Sequence, residues 1–255
     1  MSGTIRLEVS DGIATITIDR PAVRNAIDKA TADALAAAVD EVDARPDVVV
    51  AILTGAGGVF SAGMDLKAFS ATGERPLHAE RGAFGFVRKP PAKPVIAAIE
   101  GNALGGGLEL ALSCDLIVAA RSAKLGLPEV KRGLVAAAGG VLRLPRRVPQ
   151  ALAMEMILTG DPITAEQAAA AGLVNRIADD GAAVDVARSL AVSIAANAPL
   201  AVLTAKRLVS ASPDWSLEDA FDLQVPFTDA VRSSRDAAEG ALAFAQKRAP
   251  VWSGQ

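Results

Sequence analysis

Two glutamates stand where an acid or a base would be useful. Glu109 lies in "GNALGGGLELALSCD", Gly101 to Asp115, and Glu129 lies twenty positions later in "LGLPEVKRG". Three successive glycines, Gly105 to Gly107, remove every Cβ from a turn into a helix. Their N–H groups can then face a ligand, and a helix N-terminus favours negative charge. Such a place suits a developing oxyanion. Glu109 falls in the first turn of that helix, where a carboxylate is an ordinary N-terminal charge. Its company, "LELAL", is apolar, and a buried carboxylate needs partners or a raised pKa. A Pro-Glu pair such as Pro128-Glu129 usually marks a surface turn. Two carboxylates converging on one pocket would let one activate water while the other transfers a proton.

Other chemistries find little support. The chain has one histidine, His78, and no tyrosine. A Ser-His-Asp triad would need His78, which lies in the least regular segment, and no G-x-S-x-G elbow presents a serine. Cys114, the sole cysteine, sits in an apolar helix and reads as packing. No His/Cys cluster has metal-ligand spacing, so no metal is expected. "GAGG", Gly55 to Gly58, follows a strand but has Phe60 where a dinucleotide loop needs its third glycine, and no GK[ST] follows. It reads as a turn.

The positioning elements come from periodicity. "TIRLEVSDGIATITIDRP" reads as two strands around Asp11-Gly12. Asp28 is placed to cap a helix over Lys29 to Ala44 with Leu35, Val39 and Val42 on one face. "VVVAILT", "KPVIAAIEG" and "DLIVAA" read as buried strands and "GGGLELALSC" as a buried helix, which indicates an α/β core. Residues 70 to 91 show no clear period and read as a mobile loop with a short helix. From about Leu142 the pattern is mostly helical. The expected organisation is an α/β core over residues 1–195 and a helical C-terminal region over 196–255.

The 255 residues, 51% hydrophobic and 22% charged, describe a globular chain. A net charge of -3 argues against a general nucleic-acid or membrane surface. "MSGTIRLEV" lacks a signal-peptide pattern and no stretch reaches membrane-span length. With a single cysteine, the cytoplasm is the expected location.

Taken together, "IDRPAVRNAID", "ILTGAGGVFSAGMDLK", "PVIAAIEGNALGGGLELALSCDLIVAA", "LGLPEVKRGLVAAAGG" and "ILTGDPITAEQAAAAGLVNRI" resemble the enoyl-CoA hydratase/isomerase (crotonase) superfamily, in the family's order over about residues 1 to 180. The resemblance implies a crotonase-like spiral of ββα units with a helical C-terminal region. It implies that "FSAGMDL" needs no reactive side chain. The Met64 N–H and that of Gly106 would bind the thioester oxygen, each donor typically contributing about 3 kcal/mol at the transition state. Glu109 would act mainly on water and Glu129 mainly on the α-proton. Arg24, Asn25, Ala26, Ala62 and Lys67 would contact CoA, although Arg24 and Lys67 also read as plain exposed side chains.

The implied reaction is hydration of trans-2-enoyl-CoA to 3-hydroxyacyl-CoA, with no metal or redox cofactor. Alternatives within the family are carnitinyl-CoA dehydration, to which "GGVLRLP…MEMILTG" is similar, and Δ3-Δ2-enoyl-CoA isomerisation. A non-catalytic acyl-CoA-binding protein is the alternative of another class. Ala136 and Ala137 stand where many members have Pro-Gly, and Met64 is large for its loop; both bear on the acyl pocket. Leu203, Leu208, Leu217, Phe221, Leu223 and Phe227 spread over more than one helical face, and the resemblance implies homotrimers, often paired as homohexamers.

Overall fold

The computed structural model describes residues 3–255. Its largest sheet has six strands in the order Ile5–Ser10, Ile13–Ile18, Val50–Gly55, Val95–Ile99, Leu116–Ala120 and Arg176–Ala178. The first two form an antiparallel hairpin, and every later pairing is parallel. Asp11 and Gly12 make the hairpin turn at φ of 54° and 76°, the left-handed region that Asp-Gly tolerates.

The apolar runs are continuous because both faces of the sheet are covered. Alternation along each strand divides the residues. Ala14, Ile16, Ile18, Leu53, Ala97 and Ile99 join a large cluster with Leu35, Val39 and Val42 of the Lys29–Ala44 helix. Ile13, Val50, Ile52, Ile96, Ala98 and Val118 face the other way, onto Ala183, Ala187 and Ala191. Those alanines recur every fourth residue on the Ala183–Ala195 helix, so their small side chains let it lie close to the sheet. The Glu100 carboxylate, just past the C-terminal end of the interior strand Val95–Ile99, accepts from the N–H groups of Gly181 (3.0 Å) and Ala183 (2.8 Å), satisfying the start of that helix.

The expected strands and the Lys29–Ala44 and Gly106–Leu112 helices are present, with Asp28 Oδ1 accepting from Thr31 N–H at 2.8 Å. Three differences have physical reasons. Residues 73–91 contain no helix. They form a short hairpin, Leu77–His78 with Gly82–Ala83, and bury Phe84, Phe86 and Val87 in the main cluster. Buried Arg81 fastens the hairpin to Asp40 (2.6 Å), Asp43 (3.2 Å) and the Lys89 carbonyl (2.6 Å). The anchors are too few and too irregularly spaced to give a period. The stretch after Leu142 is broken by Pro145 and Pro149 into Gly140–Arg143, a 3-10 turn at Leu144–Arg146, and Gln150–Thr159. Arg176–Ala178, lying between two helical periods, completes the sheet, and a second small sheet joins Ala103–Leu104, Lys124–Gly126 and Ile163–Thr164.

The C-terminal part consists of the helices Pro199–Ala211, Leu217–Arg232 and Arg235–Gln246. No single helix in the described residues is long and apolar enough to cross a membrane.

Candidate active site

The site forms where the loop after Val50–Gly55 meets the glycine triplet. Ser61 pairs with Ala103 and Met64 with Ile27 as isolated parallel bridges. The Ser61 hydroxyl donates to the Asn25 carbonyl (2.8 Å) and accepts from Gly63 N–H (3.1 Å), so this serine holds the loop. Close approach explains the glycines. A Cβ on Gly63, whose φ is +79°, would lie 2.7 Å from Gly106 N; one on Gly107 would lie 2.0 Å from the Ser61 carbonyl oxygen. The two loops approach main chain to main chain at these glycines.

That contact sets Gly63, the residue before Met64, against the Gly106 amide. Ile27 N–H donates to the Gly63 carbonyl (2.8 Å) and Asp65 N–H to the Ile27 carbonyl (2.9 Å). The Met64 N–H therefore points from the opposite edge of this bridge. Gly106 opens a helix, where the N–H has no intrahelical acceptor. The helix has only seven residues, so local N–H groups matter more here than a long macrodipole. Phe84 closes the other side: a Cβ on Gly106 would lie 2.4 Å from its ring tip.

Glu109 belongs to this helix, and the Glu129 carboxylate approaches its start at Gly105. Glu109 is 3% exposed, and its Oε1 accepts from Gly140 N–H at 2.9 Å. Burial raises its pKa to about 7; the Gly140 N–H and nearby Arg143 oppose the rise, and the negative charge of Glu129 adds to it. Glu129 rides on the 3-10 turn Pro128–Arg132, and its Oε1 would lie 3.1 Å from a Cβ on Gly105. Its pKa is also raised by burial, with Arg132 opposing. Glu129 Oε2 is buried without a hydrogen-bond partner among the described residues. A buried, unpaired oxygen of this kind is costly unless a ligand uses it. Backbone donors together with two carboxyls of raised pKa can polarise a carbonyl while moving protons beside it.

The residues expected along CoA divide by burial. Arg24, Ala62 and Lys67 are exposed, and Lys67 is the second residue of the Leu66–Thr72 helix. Asn25 and Ala26 are buried. The Asn25 amide donates to the carbonyls of Ala56 (2.8 Å) and Val59 (2.6 Å), and its Oδ1 accepts from Arg20 N–H (2.8 Å). The Asn25 side chain is thus committed to the fold. Ala136 is buried against Gly140 and Ala137 is exposed.

Several contributors had no signal that sequence reasoning used. Gly140 donates to Glu109 from a run of small residues. Phe84 reaches the site from the aperiodic segment at φ +60°, unusual for a bulky residue. The Arg143 guanidinium donates to the Val87 carbonyl at 2.5 Å and lies against Gly139, beside Gly140. The double glycine at 139–140 was the available hint for the first.

A family model described as enoyl-CoA hydratase/isomerase matches residues 8–255. The chain belongs to the enoyl-CoA hydratase/isomerase family. Among solved structures, it superposes on the enoyl-CoA hydratase EchA1 from Mycobacterium marinum with a TM-score of 0.97 and 53% identity, each chain covered in full. The enoyl-CoA hydratase from Mycobacterium tuberculosis gives a TM-score of 0.97 and 52% identity, again over both whole chains. Among curated relatives, the carnitinyl-CoA dehydratase from Salmonella arizonae is 44% identical over 263 residues, covering 100% of both chains. The fold is therefore the crotonase-type α/β fold with C-terminal helices, and this family member is an enzyme of the hydratase/dehydratase kind.

Proposed function

We propose that this enzyme adds water reversibly to trans-2-enoyl-CoA, giving 3-hydroxyacyl-CoA. The observation that carries the reading is the convergence of Glu109 and Glu129, both with raised pKa values, on the helix that Gly106 opens. The Met64 and Gly106 N–H groups hold the thioester oxygen and stabilise the enolate as charge moves onto it. Glu109 takes a proton from water as the water oxygen bonds to Cβ. Glu129 gives a proton to Cα. The proton gained by Glu109 returns to Glu129 by exchange, so the carboxylate pair acts and titrates as a unit. No electrons change hands and no metal-bound water is invoked, so the chemistry calls for neither a redox cofactor nor a metal. CoA lies along Arg24, Asn25, Ala26, Ala62 and Lys67, with the buried Asn25 and Ala26 contributing through main chain.

The similarity to carnitinyl-CoA dehydratases favours a second substrate for the same chemistry. Dehydration of carnitinyl-CoA is the reverse hydration of an enoyl-CoA bearing a quaternary ammonium.

The test is a panel of enoyl-CoA esters of graded length plus the trimethylammonium-bearing ester, followed by loss of conjugated-thioester absorbance. Turnover of uncharged esters supports the first reading, and turnover of the cationic ester alone moves the assignment to the second. Conversion of 3-enoyl-CoA without hydration would indicate isomerisation. Tight acyl-CoA binding with no turnover would make this an acyl-CoA-binding protein.

The active form is inferred to be a cytoplasmic homotrimer or homohexamer. Leu217 (83% exposed), Phe221 (67%) and Val225 (44%) support this by leaving one face of Leu217–Arg232 uncovered, and Leu223 (44%) is exposed on another. A monomeric mass at micromolar concentration would contradict it.

A further inference from the structure

Arg20 lies outside the groups that would touch substrate, yet it sits at the junction holding Met64. It follows the Ile13–Ile18 strand, and its side chain is 18% exposed. Its Nη2 lies 2.8 Å from Asp28 Oδ2 and its Nη1 lies 3.2 Å from Asp65 Oδ2. It also donates to the Ala26 carbonyl. Both acids are helix caps: Asp28 Oδ1 accepts from Thr31 N–H (2.8 Å) and Asp65 Oδ1 from Ala68 N–H (3.0 Å). Each carboxylate gives one oxygen to its helix and the other to Arg20. One guanidinium thereby ties the start of Lys29–Ala44 to the start of Leu66–Thr72.

Met64 lies inside this tie. Asp65 is its chain neighbour, and the two Ile27 hydrogen bonds bracket it on the side away from its own N–H. The Met64 N–H belongs to the Gly63–Met64 peptide, whose carbonyl Ile27 N–H holds, while Asp65 N–H anchors the next peptide to the Ile27 carbonyl. A shift of Asp65 turns that next peptide and reaches the Met64 N–H through the Met64 backbone dihedrals. A planar guanidinium reaches two carboxylates and a carbonyl at once, whereas an ammonium is a single point of charge.

We propose that Arg20 is a positioning residue for catalysis, fixing the direction of the Met64 N–H by clamping Asp65 against Asp28. This rests on the reading that Met64 N–H binds the thioester oxygen. Misdirecting that donor weakens an interaction made mainly in the transition state, so kcat suffers more than binding.

The experiment compares wild type with Arg20→Gln, Arg20→Lys and Asp65→Asn, and with Arg248→Gln as a control. Arg248 pairs with Glu239 at 2.6 Å in the C-terminal part. The readouts are thermal stability, kcat and KM for a four-carbon trans-2-enoyl-CoA, and the red shift of an aryl-conjugated enoyl-CoA on binding, which reports carbonyl polarisation. Arg20→Gln is expected to lower kcat about 10- to 100-fold, to change KM far less, and to shrink the red shift. Arg20→Lys should lie between it and wild type. Asp65→Asn keeps the helix cap, since Asn caps as well as Asp, and should move the same way. Arg248→Gln should alter stability alone. Folded Arg20→Gln and Asp65→Asn proteins with wild-type kcat and red shift would overturn the proposal, leaving Arg20 a stabilising ion pair. Should Arg20→Gln fail to fold, Asp65→Asn decides by the same readouts. The underlying reading fails separately, and takes the proposal with it, if wild type shows no red shift or if Met64→Pro retains it.

Discussion

Adding one methyl group at Gly63 tests whether the contact between the two loops is what makes the site. The Cβ of Gly63→Ala would lie 2.7 Å from Gly106 N and 2.9 Å from Gly106 Cα. Ordinary non-bonded contacts lie near 3.5 Å, so the loops must separate by about 0.5–1 Å. That separation falls between the two proposed oxyanion donors. Misplacement on this scale costs about 10²-fold in rate, or about 2.7 kcal/mol of barrier. Alanine at φ +79° also carries backbone strain of about 1–2 kcal/mol, which affects stability whatever the space available. Gly73 separates the two effects. Its φ is +72°, but a Cβ there meets nothing within 4 Å. Gly73→Ala should lose stability by the strain alone and keep kcat near wild type. Gly63→Ala should lose that much plus about 1–3 kcal/mol for overpacking, and should lose about 10² in kcat. The assay is kcat for enoyl-CoA hydration, with urea unfolding of all three proteins. A folded Gly63→Ala enzyme retaining more than a tenth of wild-type kcat would refute the claim that this apposition sets the donors.

Glu109→Gln and Glu129→Gln should each lower hydration kcat by roughly 10² to 10⁴, and the double variant should lose much less than the product; hydration near the wild-type rate in either single variant would sink the two-carboxylate mechanism. Met64→Ala should keep most of kcat and change chain-length preference, whereas Met64→Pro removes the N–H and should cost about 10² to 10³; equal damage in folded proteins would argue against a main-chain role. The Glu109 pKa, raised from 4.5 to about 7, fixes a sign. Between those values the folded protein holds a proton that the unfolded chain has released, so stability falls as pH rises through this window. Glu109→Gln should flatten that fall in urea midpoints taken between about pH 5 and about pH 8, and kcat/KM of wild type should rise through about pH 7 as the base ionises.

The sequence made legible what depends on local pattern. The strands around the sheet, the Asp28 cap and the Leu35, Val39 and Val42 stripe follow from alternation, a capping acid and helical period. Each is a property of neighbouring residues. Glu109 and Glu129 could be suspected one at a time, the first from its apolar company. Their convergence came only from the family resemblance, because nothing in the residues themselves says that the Pro128–Arg132 turn lies against Gly105. The same limit hid the hairpin at 77–83 and the Arg176–Ala178 strand: one is held by a buried arginine paired across forty residues of chain, the other by pairing with Leu116–Ala120.

The residues that escaped notice act mostly through other residues. Gly140 contributes an amide and no side chain, so its type says only that space is short there. Asn25 sat in a stretch expected along CoA, yet its amide is spent on the Ala56 and Val59 carbonyls. Arg20 follows a strand, and its proposed importance comes from two acids that already serve as helix caps. The stretch "FSAGMDL" follows the same logic. Ser61 binds backbone, Gly63 makes room, Asp65 caps a helix and binds Arg20, and the proposed catalytic part of Met64 is its N–H. A site whose donors are main-chain groups is specified by whatever fixes the main chain. Its sequence signature is therefore spread over glycines, caps and ion pairs, and side-chain chemistry is visible only in its two carboxylates.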